Sequence, residues 1–191
     1  MKRLAVSSVI LLLTGPLMQA QTSSWVPDKA HSEVDFTILH MSLSHVHGRF
    51  GNISGTINWN EADITKSAVN VTIDVSTVDT GVSARDADLK SPNYFDVAQF
   101  PTATYISTGV EKTGDGLVVH GNLTLHGVTK PVTLTVEGPS GPVPGMDHKP
   151  HAGFSATATV KRSDFDLAPK MPVAMLGDEV KLNIELDAAK Q

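Results

Sequence analysis

The stretch VDFTILHMSLSHVHGRFGNISGTINW, residues 34–59, decides the fold class. At its start Val34, Phe36 and Ile38 alternate with polar residues, and a second alternating run ends at Trp59. An alternation of period two places every second side chain on the same face of a β-strand. The stretch therefore predicts two strands with an apolar face, joined by a segment rich in histidine and arginine.

The same alternation recurs along the rest of the chain, where β-branched residues dominate each run, as strands prefer. Residues 138–150 are instead rich in glycine and proline and predict a long loop. Eight antiparallel strands with one apolar face each can close into a barrel, which removes exposed edges. A two-layer sandwich is the alternative fold, because the apolar periodicity of the strands does not distinguish a sandwich from a barrel. The eight predicted strands lie near 33–39, 50–60, 69–75, 102–109, 117–125, 132–136, 154–160 and 180–186.

The pattern changes over residues 82–100, where alternation stops. VSARDADL contains good helix formers, Ser83 can cap its start, and Pro92 ends it. We predict a short helix and turn that lie over one opening of the sheet structure. The alternative is a surface excursion whose aromatic residues only plug the core.

The N-terminus has the layout of a secretory signal peptide. Lys2 and Arg3 precede an apolar run that is too short to span a bilayer, and a small residue follows at Ala20. We predict a signal peptide over 1–20, one exported domain over 21–191, and no stable membrane insertion. Without Lys2 and Arg3 the net charge falls from -5 to -7, which argues against a nucleic-acid partner. The chain has no cysteine, so disulfide bonds and thiol chemistry are excluded.

Six long blocks of the sequence follow one another in a specific order: WVPDKAHSEVDFTILHM, VHGRFGNISGTINW, TIDVSTVDTGVSARDADLKSPNYFDVAQFPTATY, GNLTLHGVTKPVTL, RSDFDL and LGDEVKLNIEL. Together these blocks resemble the YceI-like family, whose members are secreted or periplasmic, lipocalin-like polyisoprenoid-binding proteins. The resemblance covers about 25–188, and one departure is the short segment between Asp166 and Gly177, where we expect a different cavity rim.

The resemblance implies an all-β fold, an extended eight-stranded antiparallel lipocalin-like barrel with a short helical insertion. It implies an elongated apolar cavity that holds a long-chain isoprenoid lipid, such as an isoprenoid quinone or a polyprenyl phosphate. The protein would be a periplasmic or secreted carrier, store or scavenger without a further cofactor. The resemblance is also compatible with a homodimer.

The residues themselves leave open whether the apolar faces pack on each other or on a ligand. Small residues on those faces favour a cavity, although glycine also permits close packing. These small residues are Gly51, Gly55, Gly121, Ala156 and Ala158. The predicted cavity residues are Val34, Phe36, Ile38, Ile53, Ile57, Phe95, Phe100 and Phe154.

The predicted polar rim has three interpretations: a lip that meets a lipid head group, a metal or pH-responsive site, or ordinary solvated residues. We assign no metal ligand, because no carboxylate accompanies the histidines. The chain lacks G-x-S-x-G, HExxH and a phosphate-binding glycine-rich loop, so we do not expect an enzyme. A hydrolase whose catalytic Ser, His and Asp are far apart in the sequence is the remaining enzymatic alternative. The rim residues are His40, His45, His47, Arg49 and Arg85.

Overall fold

The computed structural model describes residues 22–114 and 116–191. The predicted signal peptide over 1–20 lies outside the described residues, as does Asp115. One α-helix, α1 (Ser83–Leu89), accompanies the strands in the described part of the chain. The strands are β1 (Thr22–Pro27), β2 (Glu33–His40), β3 (Ser44–Phe50), β4 (Ile53–Asn60), β5 (Ala68–Asp74), β6 (Thr102–Thr113), β7 (Gly116–Leu125), β8 (Val128–Pro144), β9 (Pro150–Lys161) and β10 (Leu176–Lys190).

Eight of these strands form a closed antiparallel barrel. They follow the order β1-β4-β5-β6-β7-β8-β9-β10, and β1 also pairs with β10, which closes the ring. The β2–β3 hairpin extends the wall at one end, because β2 pairs with β10 from Leu176 to Glu185. The predicted eight-stranded barrel with a helical insertion is confirmed, and the sandwich is excluded.

Two strands lie where the sequence predicted none. Trp25 sits in β1, fully buried, and its ring packs 5.6 Å from that of Trp59. β3 covers the predicted histidine-rich connection. Val46, Gly48 and Phe50 lie on its inner face, while His47 and Arg49 carry polar side chains outward. Both strands are short and polar on their outer face, so the apolar periodicity is weak. Strands β1 and β2 together correspond to one long strand that is interrupted at residues 28–32. In the same way, β3 and β4 correspond to a second long strand that is interrupted at residues 51–52.

The predicted loop over 138–150 is largely strand. β8 reaches Pro144 and pairs with β9 through two register shifts, and only 145–149 form the connecting turn. Glycine and proline recur there because Gly138 and Gly141 adopt φ of +107° and +99° at the irregularities. Such conformations suit glycine, which has no Cβ.

The apolar core fills the barrel from one end. Trp25, Ile57, Ala152 and Ala188 pack together at the end where β1 meets β10, and a larger cluster around Ile53 continues along the axis. At the other end α1 and the turn after it cover the opening, as predicted. None of the helices within residues 22–114 and 116–191 has the length and apolarity to cross a bilayer.

Candidate ligand-binding cavity

An inner cavity of about 130 Å³ lies on the barrel axis beside the buried Ile53. Strands from every side contribute inward-facing residues of their alternating pattern, so nearly all of its surface is hydrocarbon. The principal lining residues are Val34, Ile57, Trp59, Val71, Val119, Val136, Phe154, Ala156 and Ile184.

An outer cavity of about 490 Å³ lies under α1 and the β2–β3 hairpin. Leu123 and Leu182 line both cavities, so the two spaces are neighbours along the barrel. The outer cavity is also mainly apolar, but unlike the inner one it has charged side chains at its wall. Its principal lining residues are Phe36, Ile38, His40, Phe50, Arg85, Asp88, Tyr94, Phe95, Val160 and Arg162.

Seven of the eight predicted cavity residues line one of these spaces. The exception is Phe100, whose ring contacts His126 at 4.7 Å between centroids and lies over Gly127. Phe100 follows the helix and turns away from the opening, whereas Phe95 turns into it. Ligand binding by the other seven stays a prediction. Val34, Ile53, Ile57 and Phe154 line the inner cavity, and Phe36, Ile38 and Phe95 line the outer one.

The predicted polar rim is divided between two faces of the β2–β3 hairpin. His40 and Arg85 line the outer cavity. His47 pairs with Thr37 across the strands, bonds to its hydroxyl at 3.0 Å, and faces outward, as does its neighbour His45. The structure therefore does not bring the three histidines together into one site.

Arg49 also lies on the outer face. Its guanidinium is 3.2 Å from Asp79 Oδ2 and 3.6 Å from Glu33 Oε2, both exposed partners. The position differs from the predicted rim because a strand, not a loop, carries this residue, and strand geometry fixes which face it takes.

Arg85 is held at the wall of the outer cavity by one residue. Its Nε donates to Thr80 Oγ1 at 2.8 Å and its Nη2 donates to the Thr80 carbonyl at 2.9 Å. Asp86 in turn accepts from the Thr80 amide at 2.8 Å, which ties the first turn of α1 to the preceding segment. Among the residues that the structure describes, none accepts a hydrogen bond from the remaining guanidinium donors, so these donors can bond to a ligand oxygen atom at the cavity wall.

Arg162 is a second arginine at this cavity, and no pattern in the sequence indicates its role. It is 5 % exposed, and its five N–H donors all bond to backbone carbonyls of the segment that forms the cavity rim. Because each donor is satisfied, the buried charge stabilises an otherwise irregular segment. The carbonyls belong to Leu167, Ala168, Met171, Leu176 and Gly177, at 2.7–3.1 Å.

Gly55 and Gly121 were expected to leave room for a cavity beside the larger residues of the wall, but neither of them does. A Cβ on Gly121 would lie 2.4 Å from the Tyr105 ring, and one on Gly55 would lie 2.2 Å from the Asn70 carbonyl oxygen. The expectation is wrong for these residues, because a ring and a backbone take the space. Ala156 does line the inner cavity.

Tyr105 is the largest polar group in the inner wall. Its hydroxyl oxygen lies 3.0 Å from the Val119 carbonyl oxygen and 3.1 Å from the Val132 carbonyl oxygen, and the two carbonyls share its single proton. Burial raises the pKa of Tyr105 to about 12, so the phenol is neutral at physiological pH. The inner wall is therefore uncharged.

The fold and cavity define a class: an up-and-down, lipocalin-like β-barrel with an apolar interior. The model of the YceI-like domain matches residues 25–188. The chain therefore belongs to the YceI-like family. Protein YceI of Salmonella newport (strain SL254) is 39% identical over 165 residues, which cover 84% of this chain and 83% of that protein.

Solved structures agree with this assignment. The Campylobacter jejuni YCEI protein is 32% identical, with a TM-score of 0.71 over 80% of this chain and 90% of that one. Burkholderia cenocepacia BcnA has a TM-score of 0.75 at 24% identity, covering 84% and 98%. A polyisoprenoid binding domain from Saccharophagus degradans, implicated in plant cell wall breakdown, has a TM-score of 0.63 at 18% identity, covering 90% and 100%. Because they are less than 25% identical to this chain, the last two proteins support only the assignment of the fold.

Proposed function

We propose that this protein binds a long isoprenoid chain inside the barrel and carries or stores that lipid in the periplasm or outside the cell. The observation that carries the proposal is the order of the two cavities. An uncharged inner space adjoins a larger space whose charged groups, such as Arg85, lie at the outer end. This order suits an amphiphile with a hydrocarbon tail and a polar head.

The cavity volumes indicate how much chain fits. An apolar cavity of about 150 Å³ holds one benzene, or about 25 Å³ for each carbon. On that scale the outer cavity, about 490 Å³, holds about 20 carbons. The inner cavity, about 130 Å³, holds about five more, the size of one isoprene unit.

The hydrocarbon chain then sets the affinity. Each buried CH₂ contributes about 0.8 kcal/mol, so 20 carbons contribute about 16 kcal/mol before the cost of association. One hydrogen bond contributes about 0.5–1.5 kcal/mol net. The head group accordingly sets preference among lipids with similar tails.

Arg85 is the proposed head-group contact, with His40 as a neighbour at the same cavity. A guanidinium that Thr80 already orients can donate to a quinone carbonyl or to a phosphate oxygen. Membership of the YceI-like family and the signal-like N-terminus support export to the periplasm. The Saccharophagus degradans domain, described as polyisoprenoid binding, supports the same ligand class. Because it is only 18% identical to this chain, the main support for the proposal is the geometry of the cavities.

Tryptophan fluorescence tests the proposal, because Trp59 lines the inner cavity and Trp25 packs beside it. We expect saturable one-to-one binding of a prenol of about 25 carbons, whose tail is long enough to enter the inner cavity, with a change in emission. Trp59→Phe keeps the calorimetric stoichiometry but loses most of the signal. No saturable binding of C15, C20 or longer prenols would overturn the proposal.

The head-group assignment has its own test. Native protein should prefer geranylgeranyl phosphate over geranylgeraniol, and Arg85→Met should reduce that preference about tenfold, since a charge-assisted bond contributes about 1.5–3 kcal/mol. Arg49→Met is the matched control, because Arg49 lies on the outer face and should leave the preference unchanged. An unchanged preference in Arg85→Met would refute the contact.

A further inference from the structure

Carboxylates and an imidazole converge at the end of the barrel remote from the outer cavity. Asp28 follows β1, His31 lies in the next turn, and Asp187 lies near the end of β10. One oxygen or nitrogen atom from each lies within 4.8 Å of the other two. β10 runs from Leu176, at the outer cavity, to Asp187, roughly 35 Å away at about 3.3 Å per residue. The cluster is therefore separate from the proposed lipid site.

Backbone bonds fix two of these groups relative to each other. The Asp28 amide donates to the Asp187 carbonyl at 2.7 Å. Ser32 Oγ donates to the same carbonyl at 3.1 Å and accepts from the Asp187 amide at 3.2 Å. Asp28 Oδ1 accepts from the Ala30 amide at 2.8 Å, which leaves Oδ2 facing His31.

A second imidazole, that of His151, holds the Asp187 carboxylate in place by a hydrogen bond. His151 is half-buried, with its Nδ1 2.5 Å from Asp187 Oδ1 and its Nε2 3.1 Å from Asp147 Oδ1. It thereby fixes one oxygen of Asp187 and leaves the other available. Carboxylates that bind metal ions are usually held by such outer hydrogen bonds.

We propose that Asp28, His31 and Asp187 bind one divalent transition-metal ion of the Zn²⁺ class, and that His151 is a positioning residue for Asp187. Zn²⁺ takes imidazole nitrogen and carboxylate oxygen at about 2.0–2.2 Å, so tetrahedral ligands lie about 3.4 Å apart. His31 Nδ1 and Asp28 Oδ2 are already 3.2 Å apart. The His31 side chain is 69% exposed, so its ring can rotate to complete the set with Asp187.

The chemistry of the donors selects the metal class. Ca²⁺ and Mg²⁺ prefer sets made of oxygen alone, whereas imidazole suits zinc and its neighbours. Water completes the coordination at this open surface.

Calorimetric titration of the metal-free full chain with Zn²⁺ tests the proposal. We expect one ion per chain, and at least tenfold weaker binding in Asp28→Asn and in His31→Ala. His151→Ala should weaken binding about tenfold, and His151→Asn should restore it, because the Asn amide can donate to Asp187 where Nδ1 does. Melting temperatures with chelator present establish that each variant is folded.

Two controls keep the test specific. His120→Ala removes an exposed histidine of β7 and should leave the titration unchanged. A variant with His40, His45 and His47 all changed to alanine should also bind Zn²⁺ as the native protein does. Absence of heat at about 100 µM Zn²⁺, unchanged binding in the two ligand variants, or stronger binding of Ca²⁺ than of Zn²⁺ would each overturn the proposal.

Discussion

Filling the inner cavity separates the binding of long chains from the binding of short ones. Ala156 in β9 is buried and lines this cavity, whose volume is about 130 Å³. A space of about 150 Å³ accommodates a benzene ring. The phenyl group of Ala156→Phe is therefore large enough to fill the inner cavity, and it leaves the outer one open.

The expected loss follows from the carbons that the ring displaces. About five carbons of a bound chain, at about 0.8 kcal/mol each, correspond to about 4 kcal/mol and a thousandfold weaker dissociation constant. A prenol of 25 carbons or more should show this loss. Farnesol, with 15 carbons, fits in the outer cavity and should bind Ala156→Phe as it binds the native protein.

The assay is competitive displacement by prenols of increasing length, read by calorimetry. Thr157→Phe is the matched control, because Thr157 is adjacent in β9 but exposed on the outer face, and it should change neither affinity. Equal weakening of short and long chains in Ala156→Phe, or no weakening of the long chain, would refute the arrangement of the two cavities.

Three further predictions concern the residues that shape the cavities. Gly121→Ala should lower the free energy of unfolding by about 1–3 kcal/mol, because the new Cβ would meet the Tyr105 ring. Gly109→Ala is the control, because a Cβ there meets nothing within 4 Å and should leave the free energy of unfolding unchanged. Equal losses of stability for the two variants in urea denaturation would contradict this prediction. Tyr105 has a pKa raised to about 12 in the fold and about 10 when unfolded, so its contribution to stability is intact below pH 10 and falls by up to about 3 kcal/mol as pH rises to 12. Tyr105→Phe should lose that part of the alkaline decline, and an identical profile would refute the assignment. Arg162→Lys offers three donors in place of five and should cost about 3 kcal/mol, whereas Arg49→Lys at the exposed ion pair should cost under about 1 kcal/mol; similar thermal shifts would contradict the role of Arg162.

The sequence predicts the barrel because one face of most strands is apolar and the other polar. β2 shows this contrast from Glu33 to Ile38 and β5 from Val69 to Asp74, and both are strands. β3 escaped prediction because His45, His47 and Arg49 occupy its outer face and Gly48 interrupts its inner one. A Cβ at Gly48 would lie 2.4 Å from the Phe36 ring, so the residue that obscures the pattern is the one that close packing requires.

The polar part of the site was harder to predict than the apolar part. Period two identifies the inward face of a strand, but it cannot show which loop covers the opening or where a lone arginine points. Arg162 follows β9 directly, and only the folded chain brings five carbonyls of the next segment around it. The volume left between facing strands is likewise set by distant pairs such as Gly121 and Tyr105.

Mass spectrometry of an organic-solvent extract of the purified protein tests the central claim most directly. The two adjoining apolar cavities predict a long-chain isoprenoid lipid at close to one molecule per chain, present in the native protein and depleted in Ala156→Phe. An extract without long-chain lipid, from protein that also fails to take up added polyprenyl compounds, would contradict the account.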